Sequence, residues 1–384
     1  MLYQRLRCRL NAGIDGLLAG PSWKLKALAA IAVISLFRAF PNYDVLGTLF
    51  FETTWHDVQL KFDHPMLDTS RIFAPGSHQS NLTFRLTVPL LAHVLHLHEA
   101  GVLIFSALAG FVLWYLVLKV AFTLSSSKRV ALFVCLTTAC TWPGTAAFHE
   151  LRGGYYDALA LCLLLAAMAS SSSLLATLLL FLAAWTDERA LVASSFVFLL
   201  YLFSNTGGIR RHIVAKPAAV VAAAAGYLGI RAYLTAAHPY AFSISGVGIS
   251  VLRQQTNVVP LAIWSGLGGS WILVIFCLLT LFRQKRYLAA AVFGAVLIVM
   301  IGVSLAAVDV TRGMAYCLPA VFVALAVLGS SERTKQLDRL AAICAVISFL
   351  VPTFYLEGGS GLFWLYPLPM QIVRWMRAGL LPGF

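Results

Sequence analysis

What most constrains this chain is the length of its unbroken apolar runs, such as Ala158 to Ala169 and Ile272 to Phe282. Composition shows what surrounds them. Hydrophobic residues make up 60% of the 384 and charged residues only 11%, where a soluble domain carries roughly 25% charged. The mean hydropathy is +0.85, so the solvent of this chain is mostly lipid. In lipid every backbone N–H and C=O must be paired internally, which leaves helices or a closed barrel. Barrel strands alternate in polarity over ~10 residues, and these runs do not. The expected fold class is therefore all-α: a polytopic transmembrane helical bundle.

A crossing takes about 20 apolar residues. That length predicts about eleven spans, near 24–40, 101–122, 129–147, 155–170, 172–186, 188–204, 213–234, 260–282, 286–306, 313–330 and 338–355. The pair around Ser170–Ser173 is separated by little more than a serine turn. No soluble domain is visible, so residues 1–384 read as a single transmembrane domain. The apolar run that starts near Lys26 has no small-residue cleavage site close behind it, so it reads as a retained span and not a signal peptide.

Basic residues collect in cytoplasmic loops. With the N-terminus inside, 17 of the 28 Lys and Arg residues fall in short inside loops, and 12 of the 15 acids fall outside. The net charge of +13 is then a product of topology. No basic face is interleaved with aromatics as nucleic-acid binding would need, so no nucleic-acid partner is expected. The seven cysteines form no CxxC and lie mostly in apolar runs, so they read as small buried hydrophobes.

Two long segments outside the spans carry more than a turn. Residues 41–98 form the first extracytoplasmic loop, with amphipathic stretches at 45–60 and 82–97 that are expected to lie in the membrane interface. The C-terminal segment 356–384, with Trp364, Tyr366, Arg374, Trp375 and Arg377, reads as a further interfacial helix or a twelfth span.

Four constellations could carry chemistry. Asp44, at the mouth of the first span, is either a general base or substrate anchor, or the N-cap of a following helix. His149, Glu150, Arg152, Tyr156 and Asp157 stand with two glycines at the entry to the fourth span. They read as a substrate-binding element, because glycine lets backbone approach a ligand, or as a capped helix with a flanking ion pair. Asp187, Glu188 and Arg189 form a three-charge turn between apolar runs, where charge is costly and therefore suggests function; the other reading is an interfacial hairpin. Arg312 follows Asp309, and its planar fork could clamp a phosphate or pair with that acid. Arg85 has the same two readings. No ligand spacing demands a metal, although scattered carboxylates could hold a divalent cation. All these clusters fall on one membrane face in the expected topology.

The order of these motifs resembles the GT-C fold glycosyltransferases, polytopic membrane enzymes that use polyprenyl-phosphate-linked sugars. An acid follows the first span (Asp44), and a long first loop leads to Arg85-x-x-x-Pro89. An acid opens the fourth span (Tyr155-Tyr156-Asp157), and Thr186-Asp187-Glu188-Arg189 stands where many members have Thr-Lys-Glu. Arg312 precedes a late span with an internal proline, Pro319. The resemblance implies that Asp44 is the general base and that Asp157 positions donor or acceptor. It also implies that Arg189 and Arg312 neutralise the leaving phosphate. The acceptor would be a glycan, lipid or protein, the site extracytoplasmic, and the location an integral membrane protein with a cytoplasmic N-terminus. Two departures stand out: the first acid is single where many members pair two, and the third motif lacks the lysine. A transporter or flippase of a lipid-linked or anionic substrate is the alternative. It would carry its charges near the bilayer centre, whereas an enzyme of this kind would carry them at the external mouth.

Overall fold

The computed structural model describes residues 2–39, 53–67, 69, 79–149, 155–203, 215–237, 248–331, 334–357 and 361–377. The chain opens with α1 (Leu2–Leu17) and α2 (Trp23–Arg38). The sequence predicts no helix before the first span; α1 is one. The first long loop holds α3 (Thr53–Asp63), a 3-10 segment (Gln79–Phe84) and α4 (Thr87–Leu95).

A run of apolar helices follows. It begins with α5 (Glu99–Ser125), α6 (Lys128–Ala139) and α7 (Trp142–His149). Next come α8 (Asp157–Ala169), α9 (Ser173–Thr186), α10 (Arg189–Phe203) and α11 (Ala215–Ala237). Beyond the short α12 (Ile249–Gln254) stand α13 (Val259–Leu267), α14 (Trp271–Arg283) and α15 (Tyr287–Leu305). The last apolar helices are α16 (Val310–Ala315), α17 (Leu318–Ser331) and α18 (Thr334–Leu350). An antiparallel hairpin, β1 (Phe354–Glu357) with β2 (Gly361–Trp364), and α19 (Leu368–Arg377) close the described chain. Among the described residues the hairpin is the exception to the all-helical expectation. Its four-residue strands lie across the end of the expected span 338–355 and the start of the segment 356–384, which the sequence predicts as an interfacial helix or a twelfth span.

Local chemistry sets the boundaries. α5 ends where Ser126 turns left-handed (φ 55°). Ser127 then caps α6 by accepting the Val130 N–H at 3.2 Å, satisfying one of the orphan donors of a helix start. Ser172 caps α9 in the same way, accepting from Leu175 at 3.3 Å. α6 and α7 bend by 52° at Cys140–Thr141. Pro143 lacks the N–H that would continue the first helix. Gly144 makes the bend possible: a Cβ there would stand 2.3 Å from the Thr138 carbonyl oxygen.

Among the described residues, five helices or near-continuous helical runs are long and apolar enough to cross a membrane: Glu99–Ser125, Lys216–Ala237, Thr256–Arg283 (which includes α13 and α14), Tyr287–Leu305 and Val310–Ser331 (α16 and α17); the bent pair makes a sixth. α8, α9 and α10 are apolar but have only 13, 14 and 15 residues. At ~1.5 Å per residue they are shorter than a bilayer core of about 30 Å. At the centre, α17 is buried on nearly every side, from Leu318 through Phe322 to Leu328, as expected of a helix that is apolar all round. Outward-facing apolar residues such as Leu174 (82% exposed), Leu288 (79%) and Ile298 (72%) surround the bundle. An apolar interior beneath an apolar exterior makes this a helical membrane protein.

The two ends of the bundle differ in chemistry. At one, Arg129 pairs with Asp15 at 2.6 Å, Lys128 donates to the Leu18 carbonyl at 3.0 Å, and Ser127 donates to Asp338 at 2.6 Å. At the other, the 3-10 segment and α4 are tied to the end of α9: Leu86 N–H donates to Trp185 O (2.9 Å) and Thr87 Oγ1 to Leu182 O (2.8 Å). There too, Leu356 N–H of β1 donates to Thr311 Oγ1 of α16 at 2.9 Å.

Candidate functional site

This second end holds a buried ionic network. Asp157 is the first residue of α8. Its carboxylate accepts Nε of Arg312 at 2.6 Å, Nη2 of Arg312 at 3.3 Å and the Tyr316 hydroxyl at 3.0 Å, and it lies 3.5 Å from Nη2 of Arg189. Asp187 stands in the turn between α9 and α10. It accepts the Arg189 backbone N–H at 3.0 Å, so the turn caps α10, as short acidic side chains do. The same carboxylate accepts Nε and Nη2 of Arg189 at 2.8 and 2.7 Å. Arg85 and Arg312 approach it at 3.6 and 3.7 Å. Asp309, just before α16, accepts Nη1 of Arg312 at 2.9 Å and the Tyr355 hydroxyl of β1 at 3.0 Å. The Tyr155 ring lies 3.8 Å from the Arg312 guanidinium carbon, and the Tyr316 ring 5.3 Å from that of Arg189.

The network is dry. The Arg312 side chain is 0% exposed, and those of Asp157 and Asp187 are each 1% exposed. Among the described residues Arg85, Arg189 and Arg312 face the carboxylates of Asp157, Asp187 and the partly exposed Asp309, so each buried charge there has a counter-charge, as burial demands. Burial pushes the Asp187 carboxyl up, but Arg189, Arg85 and Arg312 outweigh it and hold the group well below the usual carboxylate range. The network ties together segments from residue 85 to residue 355: helix ends, turns, the short α16 and strand β1.

The site residues expected from sequence fall into three sets. Arg85, Asp157, Asp187, Arg189 and Arg312 are brought together. His149 ends α7, its Nδ1 3.2 Å from the Thr145 carbonyl. Tyr156 packs with Val58, Phe62 and Val88, which seats α3 and α4 against the start of α8. Glu188 is half-buried and makes no ion pair among the described residues. Asp44, Glu150 and Arg152 lie outside the described residues. Among the described residues no group of three or more His, Cys, Asp or Glu converges to hold a metal ion. For the divalent cation considered from sequence, no ligand set stands among them.

Sequence reasoning missed Arg38, Tyr316 and Tyr355. Arg38 is the last residue of α2 and is 7% exposed. Its Nε donates to Phe349 O at 2.8 Å, Nη1 to Cys140 O at 3.2 Å and Nη2 to Ser348 O at 2.8 Å, with further bonds to Thr353 Oγ1 and Val351 O. All five N–H groups are thus given to neutral oxygens, which staple α2, α6 and α18 together. One signal was present: a single cation near the end of an apolar run, three residues before Pro41, is costly and has a reason to be there. Among known proteins, the chain matches no family model, no curated protein and no solved structure.

Proposed function

We propose that this protein is a membrane glycosyltransferase of GT-C type that moves a sugar from a polyprenyl-phosphate donor to a glycan, lipid or protein acceptor. In this reading the chain crosses the bilayer eleven times, with a cytoplasmic N-terminus and the ionic network at the extracytoplasmic face. The acceptor hydroxyl oxygen attacks the anomeric carbon while the carbon–oxygen bond to phosphate breaks. Asp44 takes the hydroxyl proton, and the phosphate leaves with the bonding electron pair. A phosphate leaving group needs charge stabilisation more than protonation.

The observation that carries the reading is the convergence of Arg85, Asp157, Asp187, Arg189 and Arg312 on one buried site at one end of the bundle. It also refines the roles. Arg312 is held on both sides by Asp157 and Asp309, so it anchors the site. Arg85 and Arg189 both face Asp187, at 3.6 and 2.7 Å, and in this reading they are the cations that meet an incoming phosphate. Asp157, saturated by Arg312 and Tyr316, orients the start of α8 instead of acting as a base. Among the described residues, Glu188, half-buried and outside the network, is the carboxylate offered to a sugar hydroxyl. The charges stand at helix ends and turns, which supports surface chemistry over a transport path at mid-membrane.

The test is a glycolipid and glycan profile of cells with and without the gene. The expected result is loss of one glycosylated product and accumulation of its unglycosylated acceptor. An unchanged profile together with altered uptake or export of an anionic solute would favour the transporter reading.

A further inference from the structure

The opposite end of the molecule carries a second site, unrelated to the ionic network. α2 and α18 both pack on α6, and they meet where Arg38 grips the carbonyls of Phe349 and Ser348. Between them opens a cleft of about 1030 Å³, at the upper end of the ~300–1,000 Å³ typical of small-molecule sites. Its floor is Phe133 and Leu136 of α6, with Ile34 of α2 on one wall and Val346 and Leu350 of α18 on the other. Val346 and Leu350 are 56% and 70% exposed, so the cleft opens sideways on the apolar belt of the bundle.

Its rim at the basic end is polar and carries three cations, Arg129, Lys335 and Arg339, with Asn11 and the carboxylate of Asp338 among them. Arg129 is engaged by Asp15, and Asp338 by the Ser127 hydroxyl. Lys335 and Arg339 are exposed, stand four residues apart on one face of α18 and make no ion pair among the described residues. A long apolar trough ending at two uncommitted cations has the chemistry of an amphiphile with a negative head. Basic pockets between membrane helices recognise anionic lipid headgroups in this way.

We propose that this cleft binds a membrane phospholipid with an anionic headgroup: one acyl chain lies along Phe133, Leu136 and Val346, and the phosphate sits between Lys335 and Arg339. The lipid would fill the gap between α2 and α18 and brace the helices that Arg38 joins at the other end.

The test uses the full-length protein in nanodiscs of phosphatidylcholine alone or with phosphatidylglycerol replacing part of it. Native mass spectrometry is expected to show one phosphatidylglycerol retained, and thermal unfolding to shift upward only in those discs. The double variant Lys335→Gln, Arg339→Gln should bind it about thirtyfold more weakly, at about 1 kcal/mol for each basic side chain. Val346→Trp, which fills the trough from an exposed position and leaves the charges in place, should abolish retention. Equal retention of phosphatidylcholine, or unchanged retention in both variants, would overturn the proposal. So would a stabilisation in detergent by inorganic phosphate alone, which would mean that the site takes the free anion.

Discussion

Arg312 lies wholly buried between Asp157 and Asp309, with Tyr155 stacked on its face. Its removal leaves the buried Asp157 with fewer counter-charges, and breaking a buried pair costs about 3–5 kcal/mol. Arg312→Gln is therefore expected to lower unfolding stability by that amount in detergent, measured by denaturation monitored through tryptophan fluorescence. Glu188→Gln should leave stability unchanged and lower only transfer activity. The contrast separates the anchor from a group that meets substrate. Asp187 gives a pH prediction. Its folded carboxyl titrates below an unfolded value of about 3.9, so its contribution is fully present above that value and fades as pH falls toward the folded pKa. Thermal stability should accordingly drop below about pH 4, and Asp187→Asn should flatten that part of the curve. Of these residues, the sequence exposed the acids and arginines because charge beside long apolar runs is conspicuous. It could not show which arginine meets which acid. Those pairs join positions as far apart as residues 157 and 312, and only tertiary packing brings them together.

At the scale of elements, the turns do much of the specifying. The serine turn between α8 and α9 was legible from its composition, and Ser172 caps α9 there. Ser172→Ala is expected to cost about 1 kcal/mol, as lost caps do, with faster hydrogen exchange confined to the first turn of α9. The break between α13 and α14 was not legible, because 260–282 is one apolar run. Gly268 adopts a left-handed φ of +51°, and a Cβ on Gly269 would stand 2.3 Å from the Cys344 carbonyl oxygen. Close approach of α18 thus puts a 3-10 turn, Gly268–Ser270, into the helical run Thr256–Arg283. The β hairpin was missed for a related reason. Its Tyr355 and Leu356 are fixed by Asp309 and Thr311, partners that no local pattern reveals.

For the molecule as a whole, helical class and apolar boundaries were readable because lipid imposes one rule on every backbone group. In the proposed topology, crossings by α8, α9 and α10 rest on charge alternation, since these helices are short. Sidedness has a native reporter: Cys8 is exposed, while the other six cysteines are buried. A membrane-impermeant maleimide should leave right-side-out vesicles unlabelled and modify Cys8 only after permeabilisation. A His64→Cys substitution, in the exposed turn after α3, should be labelled without it. The most direct test of the central claim is transfer itself. Purified protein in liposomes should move a labelled sugar from a polyprenyl-phosphate donor to an acceptor, and Asp44→Asn should abolish that transfer while the protein remains folded. Full activity of Asp44→Asn would contradict the assigned base, and absence of transfer from every polyprenyl-phosphate sugar tried with folded wild-type protein would contradict the account.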